Sequence, residues 1–323
     1  MNPGFRAPAW LPGGHAQTIW PALVGRRQLA GRVPFARERW TTPDSDFVDL
    51  DFGPPGAPGA PLLVLFHGLE GSTASHYALS FALEARQRGW GFVMPHFRGC
   101  SGELNRAPRA YHSGDHAEVG WFLTRLAERQ GAPVLAAGVS LGGNALMRWA
   151  GEVAEDAART ASAVVSICSP LDLTASGQAM GRGFNRQVYA RMFLATMKPK
   201  ALAKWQQHPG LFDRDRLAAA RTLYDFDDVF TAPLHGFRDT GDYWARASAK
   251  PHLRAVRIPA LALNARNDPF VPAASLPTRV DVSSCVELWQ PKHGGHVGFP
   301  QGRFPGHVQG LPAAVCHWLA QHA

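Results

Sequence analysis

Gly138-Val139-Ser140-Leu141-Gly142 is the segment of this chain whose residue types and spacing point most directly to chemistry. A bare G-x-S-x-G is a weak signal in a glycine-rich chain, and an ordinary Gly/Ser turn is the plainer reading. Here the apolar run Pro133–Val139 precedes the serine, and helical spacing from Leu141 to about Val153 follows it. That strand–turn–helix setting makes a nucleophile turn of it, with the glycines keeping side chains from colliding. Ser140 then stands at the positive end of the following helix. A serine hydroxyl is a poor nucleophile until a base takes its proton and an acid orients that base. In sites built this way the chain order is serine, acid, histidine. Asp268, in Asn267-Asp268-Pro269-Phe270, follows the next-to-last predicted strand, and His296, in Gly294-Gly295-His296-Val297-Gly298-Phe299, follows the last. His293 is a rival base three residues earlier, and Asp172, after the strand Ala163–Cys168, is a rival acid. The longer strand-to-loop distance and preceding glycines favour His296; chain order and a better-defined loop favour Asp268. A developing oxyanion needs donors, each worth on the order of 10²–10³ in rate. The backbone N–H groups of Leu69, in Phe66-His67-Gly68-Leu69-Glu70-Gly71, and of Leu141 are the candidates, with His67 read as organising that loop.

These groups must be held by a scaffold, and the pattern supplies one. Apolar runs at Leu62–Phe66, Gly91–Pro95, Pro133–Val139, Ala163–Cys168, Ala260–Asn264 and Val286–Gln290 alternate with helical segments. The helices are expected at Thr73–Arg88, Ser113–Arg129 with Ser113 as N-cap, Leu141–Val153 and His307–Gln321. Such alternation predicts a mostly parallel, doubly wound sheet covered on both faces. Phe47–Phe52 alternates as a half-buried strand, and residues 1–32 read as an irregular arm. Between 171 and 252 the alternation stops and an aromatic-rich, mainly helical stretch intervenes. An insertion there lies over the carboxyl ends of the strands, where ligands bind, so it reads as a helical cap; a peripheral helical subdomain is the plainer alternative. The core is then 1–170 and 253–323.

Composition narrows the function classes. The 323 residues are 46% hydrophobic and 18% charged, enough to bury a core. Net charge is +8, from 28 Arg and 5 Lys against 25 acidic residues. No basic run exceeds Arg26–Arg27, and no zinc-finger or RNA-binding signature occurs, so no nucleic-acid partner is expected. Four scattered cysteines fit a reducing compartment, no apolar leader is visible near Met1, and no run is long enough to span a bilayer. A cytoplasmic protein without stable membrane insertion is the expectation. His112 and His116, or His293 and His296, lack the further ligands of a metal site. No dinucleotide or phosphate-loop fingerprint appears, so no cofactor is expected. Arg98-Gly99-Cys100-Ser101-Gly102 reads as a loop, with Arg98 in a structural ion pair in preference to an anion anchor.

Nearly end to end, the chain resembles an α/β-hydrolase of the YheT-like branch, which groups with the ABHD esterases of eukaryotes. The resemblance rests on His15-Ala16-Gln17-Thr18, Asp46-Phe47-Val48-Asp49-Leu50, His67-Gly68-Leu69-Glu70-Gly71-Ser72, His96–Gly102, Tyr111-His112-Ser113-Gly114 and Asn144. It continues at Phe226-Asp227-Asp228, Thr231-Ala232-Pro233 and the loops around Asp268 and His296. It implies a Ser140–Asp268–His296 triad and a carboxylesterase of short or medium acyl esters. An acyltransferase passing the acyl group to an alcohol, or a catalytically silent ligand binder, are the alternatives. Dehalogenase and epoxide-hydrolase chemistry would need an aspartate where Ser140 stands. Oligomeric state is not legible.

Overall fold

Apolar runs separated by glycines become the middle of one eight-stranded sheet. In the computed structural model, which describes residues 5–323, the strands are β1 (Ala36–Thr41), β2 (Phe47–Phe52), β3 (Leu62–Phe66) and β4 (Gly91–Pro95). β5 (Val134–Val139), β6 (Ala161–Ile167), β7 (Ala260–Leu263) and β8 (Val286–Trp289) complete it. The order is β1-β2-β4-β3-β5-β6-β7-β8. β2 pairs antiparallel with both β1 and β4, and every later pairing is parallel. The expected doubly wound α/β sheet is present.

Period-two alternation along β3 divides its side chains between two cores. Leu62, Val64 and Phe66 pack on one face with Val119, Phe122 and Leu146, from helices His116–Gln130 and Leu141–Val153. Leu63 and Leu65 pack on the other with Phe81 and Val315, from helices His76–Gln87 and Gly310–Leu319. Each fully buried Leu or Phe contributes about 1.5–3 kcal/mol.

Three expectations are corrected. First, β1 shows no apolar alternation and is absent from the sequence pattern. Its Arg37 and Arg39 stand opposite Asp51 and Asp49 in register and pair with them at 2.7 and 2.8 Å. Those cross-strand ion pairs fix the register. They also allow both aspartates to be buried, so β2 is buried on both faces instead of half-buried. Burial opposes ionisation of Asp51, but hydrogen bonds from Arg37 and His96 prevail and hold its carboxyl below the usual range. Second, the arm is helical from Gly13 to Leu29, running from helix Gly13–Trp20 through a π-type turn. The arm's first four residues lie outside the described ones. Third, the helix after β4 starts at His116 with Asp115 as N-cap. The Ser113 N–H donates to Tyr243 Oη at 2.9 Å, and Asp115 is held by Arg109 at 2.8 Å.

Between β6 and β7 the chain is helical. A continuous run Gly183–Gln207, a second one Leu223–Leu234, and the helices Leu173–Met180 and Thr240–Ala247 are its longest pieces. Leu194, Leu217, Phe226 and Phe230 form one apolar cluster there, and Leu173, Tyr243 and Trp244 another.

Candidate active site

The turn after β5 holds Ser140 at φ 52°, ψ −118°, a left-handed backbone that costs a non-glycine residue about 1–3 kcal/mol. Its surroundings leave it no alternative. The Ser140 N–H donates to Ile167 O of β6 at 2.8 Å, and its carbonyl accepts from Gly143 and Asn144. A Cβ on Gly142 would collide with the Phe66 and His67 carbonyls. Fully buried Asn144 donates to Ser113 O (2.7 Å) and Ala247 O (2.9 Å) and accepts from Ala249 N–H (2.9 Å). Its amide thus ties the helix after Ser140 to the segments on either side of it. Positive φ recurs at Glu70 (55°), Cys168 (50°) and Val297 (63°), in loops beside the same site.

His296 Nδ1 lies 2.8 Å from Asp268 Oδ2, and that carboxylate is fully buried. Asp268 Oδ1 accepts the Phe270 N–H at 2.8 Å, so both oxygens are engaged. The Phe270 ring packs on the imidazole with centroids 4.2 Å apart. Among the described residues Ser140 Oγ and His296 Nε2 make no hydrogen bond to each other, although both line one cavity.

The sequence reading missed what positions these two loops, and only the His15-Ala16-Gln17-Thr18 resemblance marked it. Buried Gln17 accepts from Gly294 N–H and Asn267 Nδ2, both at 3.0 Å, while its amide donates to Leu11 O. Thr18 Oγ1 accepts the His296 N–H at 2.8 Å. Asn267 Oδ1 accepts the Gly295 N–H at 3.0 Å. One turn of the arm helix therefore staples the Asp268 loop to the His296 loop. Gly298 permits the approach, since a Cβ there would overlap the Gln17 carbonyl. From the other side, His76 Nε2–H donates to Val297 O at 3.2 Å. Burial holds that imidazole neutral, down to about 4.

The loop after β3 is organised by His67. A carbonyl can only accept, so His67 Nδ1–H donates to Gly68 O (2.7 Å) while Nε2 accepts the Phe97 N–H (3.0 Å). Burial pushes its pKa down to about 3, which keeps that neutral tautomer. Next in the loop, the Glu70 N–H donates to Tyr111 Oη at 3.0 Å, and Tyr111 O–H returns a bond to Glu70 Oε1 at 2.9 Å. Lys200, from the helical insertion, pairs with Glu70 at 2.8 Å. Among the described residues the N–H groups of Leu69 and Leu141 have no acceptor, and both residues line the cavity.

That cavity measures about 170 Å³. Leu69, Ser140, Leu141 and His296 form its floor, and Met180, Phe193, Met197, Phe226 and Phe230 form apolar walls. Asp227 lines it as well, accepting from Thr231 Oγ1 (2.6 Å) and Trp244 Nε1 (2.9 Å). Burial pushes that carboxyl up to about 6.

The rival acid and the rival base stand outside this cavity, whereas Arg98 and His112 lie in its lining. Asp172 caps helix Leu173–Met180 through the Ala175 N–H, and His293 is exposed. Arg98 is buried between Asp44, Asp46 and Glu118, at 2.6–2.9 Å, as a structural ion pair. His112 packs on His235, and His116 Nδ1–H donates to Gly114 O. Among the described residues no cluster of three metal-ligating side chains occurs, and no helix is long and apolar enough to cross a membrane.

Comparison with known proteins agrees with this architecture. A family model described as "alpha/beta hydrolase fold" matches residues 61–302. The chain is 39% identical over 313 residues to "Putative esterase YheT" of Escherichia coli (strain K12), covering 95% of this chain and 90% of that protein. It is 30% identical to mouse "Phospholipase ABHD3", covering 76% of this chain and 60% of that one. "Monoacylglycerol lipase" of Saccharomyces cerevisiae is 26% identical, over 75% of this chain and 56% of its own length. Among solved structures, mouse alpha/beta hydrolase domain-containing protein 10 superposes with a TM-score of 0.57 at 14% identity, covering 89% of this chain and all of that one.

Proposed function

The chain belongs to the alpha/beta hydrolase family, and from that premise we propose that it cleaves carboxylic esters of short to medium acyl chains through an acyl-enzyme on Ser140. One observation carries this reading. A buried carboxylate, Asp268, holds His296 by Nδ1 at 2.8 Å, on the floor of an apolar cavity that also exposes the strained Ser140. With Nδ1–H donating to Asp268, Nε2 is the ring nitrogen left to act as a base. It takes the Ser140 proton as Oγ attacks the ester carbonyl, and Asp268 stabilises the imidazolium formed. The oxygen that becomes negative is met by the N–H groups of Leu69 and Leu141. His296 returns the proton to the departing alcohol, then takes one from water as the water oxygen attacks the acyl carbon; the bond from that carbon to Ser140 Oγ breaks, the acid leaves, and His296 gives the proton back to Ser140 Oγ. The Ser140–His296 bond closes when substrate is bound, a common tightening at such sites.

Residues 171–252 act as a cap over the core of 1–170 and 253–323, and their aromatic and methionine side chains receive the acyl chain. The names of the phospholipase and monoacylglycerol lipase relatives point the same way, to lipid esters. About 170 Å³ is below the roughly 300–1,000 Å³ of sites for drug-sized ligands, which favours short and medium chains. Four unpaired cysteines fit a cytoplasmic setting. Turnover across p-nitrophenyl esters of two to sixteen carbons tests the proposal. A maximum at short or medium chains, lost in Ser140→Ala, is expected; equal turnover by Ser140→Ala refutes it.

A further inference from the structure

We propose that the outer face of the helical run Gly183–Gln207 docks on an anionic lipid surface and so brings the cavity behind it to its substrate. Phe184, Val188 and Met192 are spaced four residues apart and share one stripe of the run. They are 49%, 38% and 54% exposed. Scattered apolar residues on a surface need no explanation, whereas these three lie in line along one face of one helix. The inner face of the same run, at Phe193, Met197 and Lys200, lines the cavity. One helix thus has the outer solvent on one side and the acyl site on the other.

Charge selects the occupant. Between Asp172 and Asp213 there is no Asp or Glu, while Arg182, Arg186, Arg191, Lys198, Lys200 and Lys204 lie in that stretch. Arg182, Arg186 and Arg191 flank the stripe, are exposed, and make no side-chain hydrogen bond or ion pair among the described residues. A second copy of the chain meeting this run symmetrically would bring six arginines together, with no carboxylate from the run itself to pair them. An anionic lipid surface offers both what the stripe lacks and what the arginines lack, by the logic of interfacial amphipathic helices. The face is rigidly presented: Tyr189 Oη and His15 Nδ1 are 3.1 Å apart, and Phe184 packs on the His15 ring at 4.5 Å. Docking of this kind lies on the interface and needs no spanning helix.

The test is co-sedimentation of the full chain with phosphatidylglycerol or phosphatidylcholine vesicles at low salt, with thermal unfolding as the control for folding. The wild type is expected to partition at least tenfold better onto phosphatidylglycerol. Val188→Asp/Met192→Asp loses tenfold or more of that binding at an unchanged unfolding midpoint. Arg182→Gln/Arg186→Gln/Arg191→Gln loses the preference for anionic lipid, by about fivefold per charge. Raising salt weakens the wild type in the same direction. No partition onto either vesicle, binding unaltered in the aspartate variant, or a lipid-free dimer that this variant dissociates would each overturn the proposal. Vesicle binding does not depend on ester cleavage, so a chain that docks but hydrolyses nothing refutes the proposed function alone.

Discussion

Replacing Asp268 by asparagine alters one atom and is expected to invert the hydrogen-bonding sense of His296. In the native site Oδ1 accepts the Phe270 N–H at 2.8 Å and Oδ2 accepts from His296 Nδ1 at 2.8 Å. The backbone donor can only give, so the single oxygen of an asparagine amide stays with Phe270. Its NH₂ then faces Nδ1 and turns that nitrogen into an acceptor. The imidazole proton moves to Nε2, which no longer has a lone pair for the Ser140 proton. The variant also loses the carboxylate that offsets the imidazolium charge, in a place where the side chain is fully buried and water screens nothing. Loss of both effects is worth about 10⁴ in kcat, or about 5 kcal/mol of transition-state stabilisation. KM for a water-soluble p-nitrophenyl ester changes little, because Asp268 does not line the cavity. Steady-state kinetics at pH 7, with thermal unfolding as a control, measures it. A kcat within tenfold of the wild type in a folded variant would refute the tautomer argument.

Two more outcomes follow from the same geometry. Gln17→Leu leaves the Gly294 N–H and the Asn267 amide unpaired, at about 1–3 kcal/mol for each buried group. It should lower kcat for the soluble ester by at least tenfold while the unfolding midpoint falls, and unchanged kcat would show that the staple does not position the base. Acid stability is set by imidazoles that burial keeps neutral: His67, His112 and His235 at about 3, and His76 at about 4. Unfolded histidine titrates near 6.5, so between pH 6.5 and 4 the unfolded chain binds more protons and stability falls as pH falls. Two carboxyls that burial raises, Asp227 to about 6 and Glu118 likewise upward, oppose this by binding protons in the folded chain. The net is about two protons near pH 5, a slope of about 3 kcal/mol per pH unit. Urea midpoints at pH 7, 6 and 5 should drop in that order; a flat or rising series contradicts it.

Much of the scaffold was legible because its central strands are buried on both faces and stop at glycines. β3 and β4 match the predicted runs residue for residue, and the helix Leu141–Val153 does as well. β1 was not legible, since Arg37, Glu38 and Arg39 carry no apolar period, and the two arginines are held by aspartates in the next strand. The start of the helix at His116 was misplaced because Ser113 is bonded to Tyr243, 130 residues away. The arm helix was hidden among prolines and glycines, and the loop groups that Gln17 and Thr18 hold lie about 250 to 280 residues downstream. Periodicity reports local burial; it carries no signal for partners at that distance. Chain order ranks Asp268 above Asp172, but only the hydrogen bond to His296 separates them physically.

In the proposed reaction Ser140 becomes covalently bonded to the acyl group. Reaction with a fluorophosphonate, followed by intact mass and peptide mapping, tests it with one reading. A single adduct is expected on the peptide containing Ser140, absent in Ser140→Ala and slowed severely in His296→Ala. An adduct on any other residue, or labelling of Ser140→Ala at the wild-type rate, would contradict it.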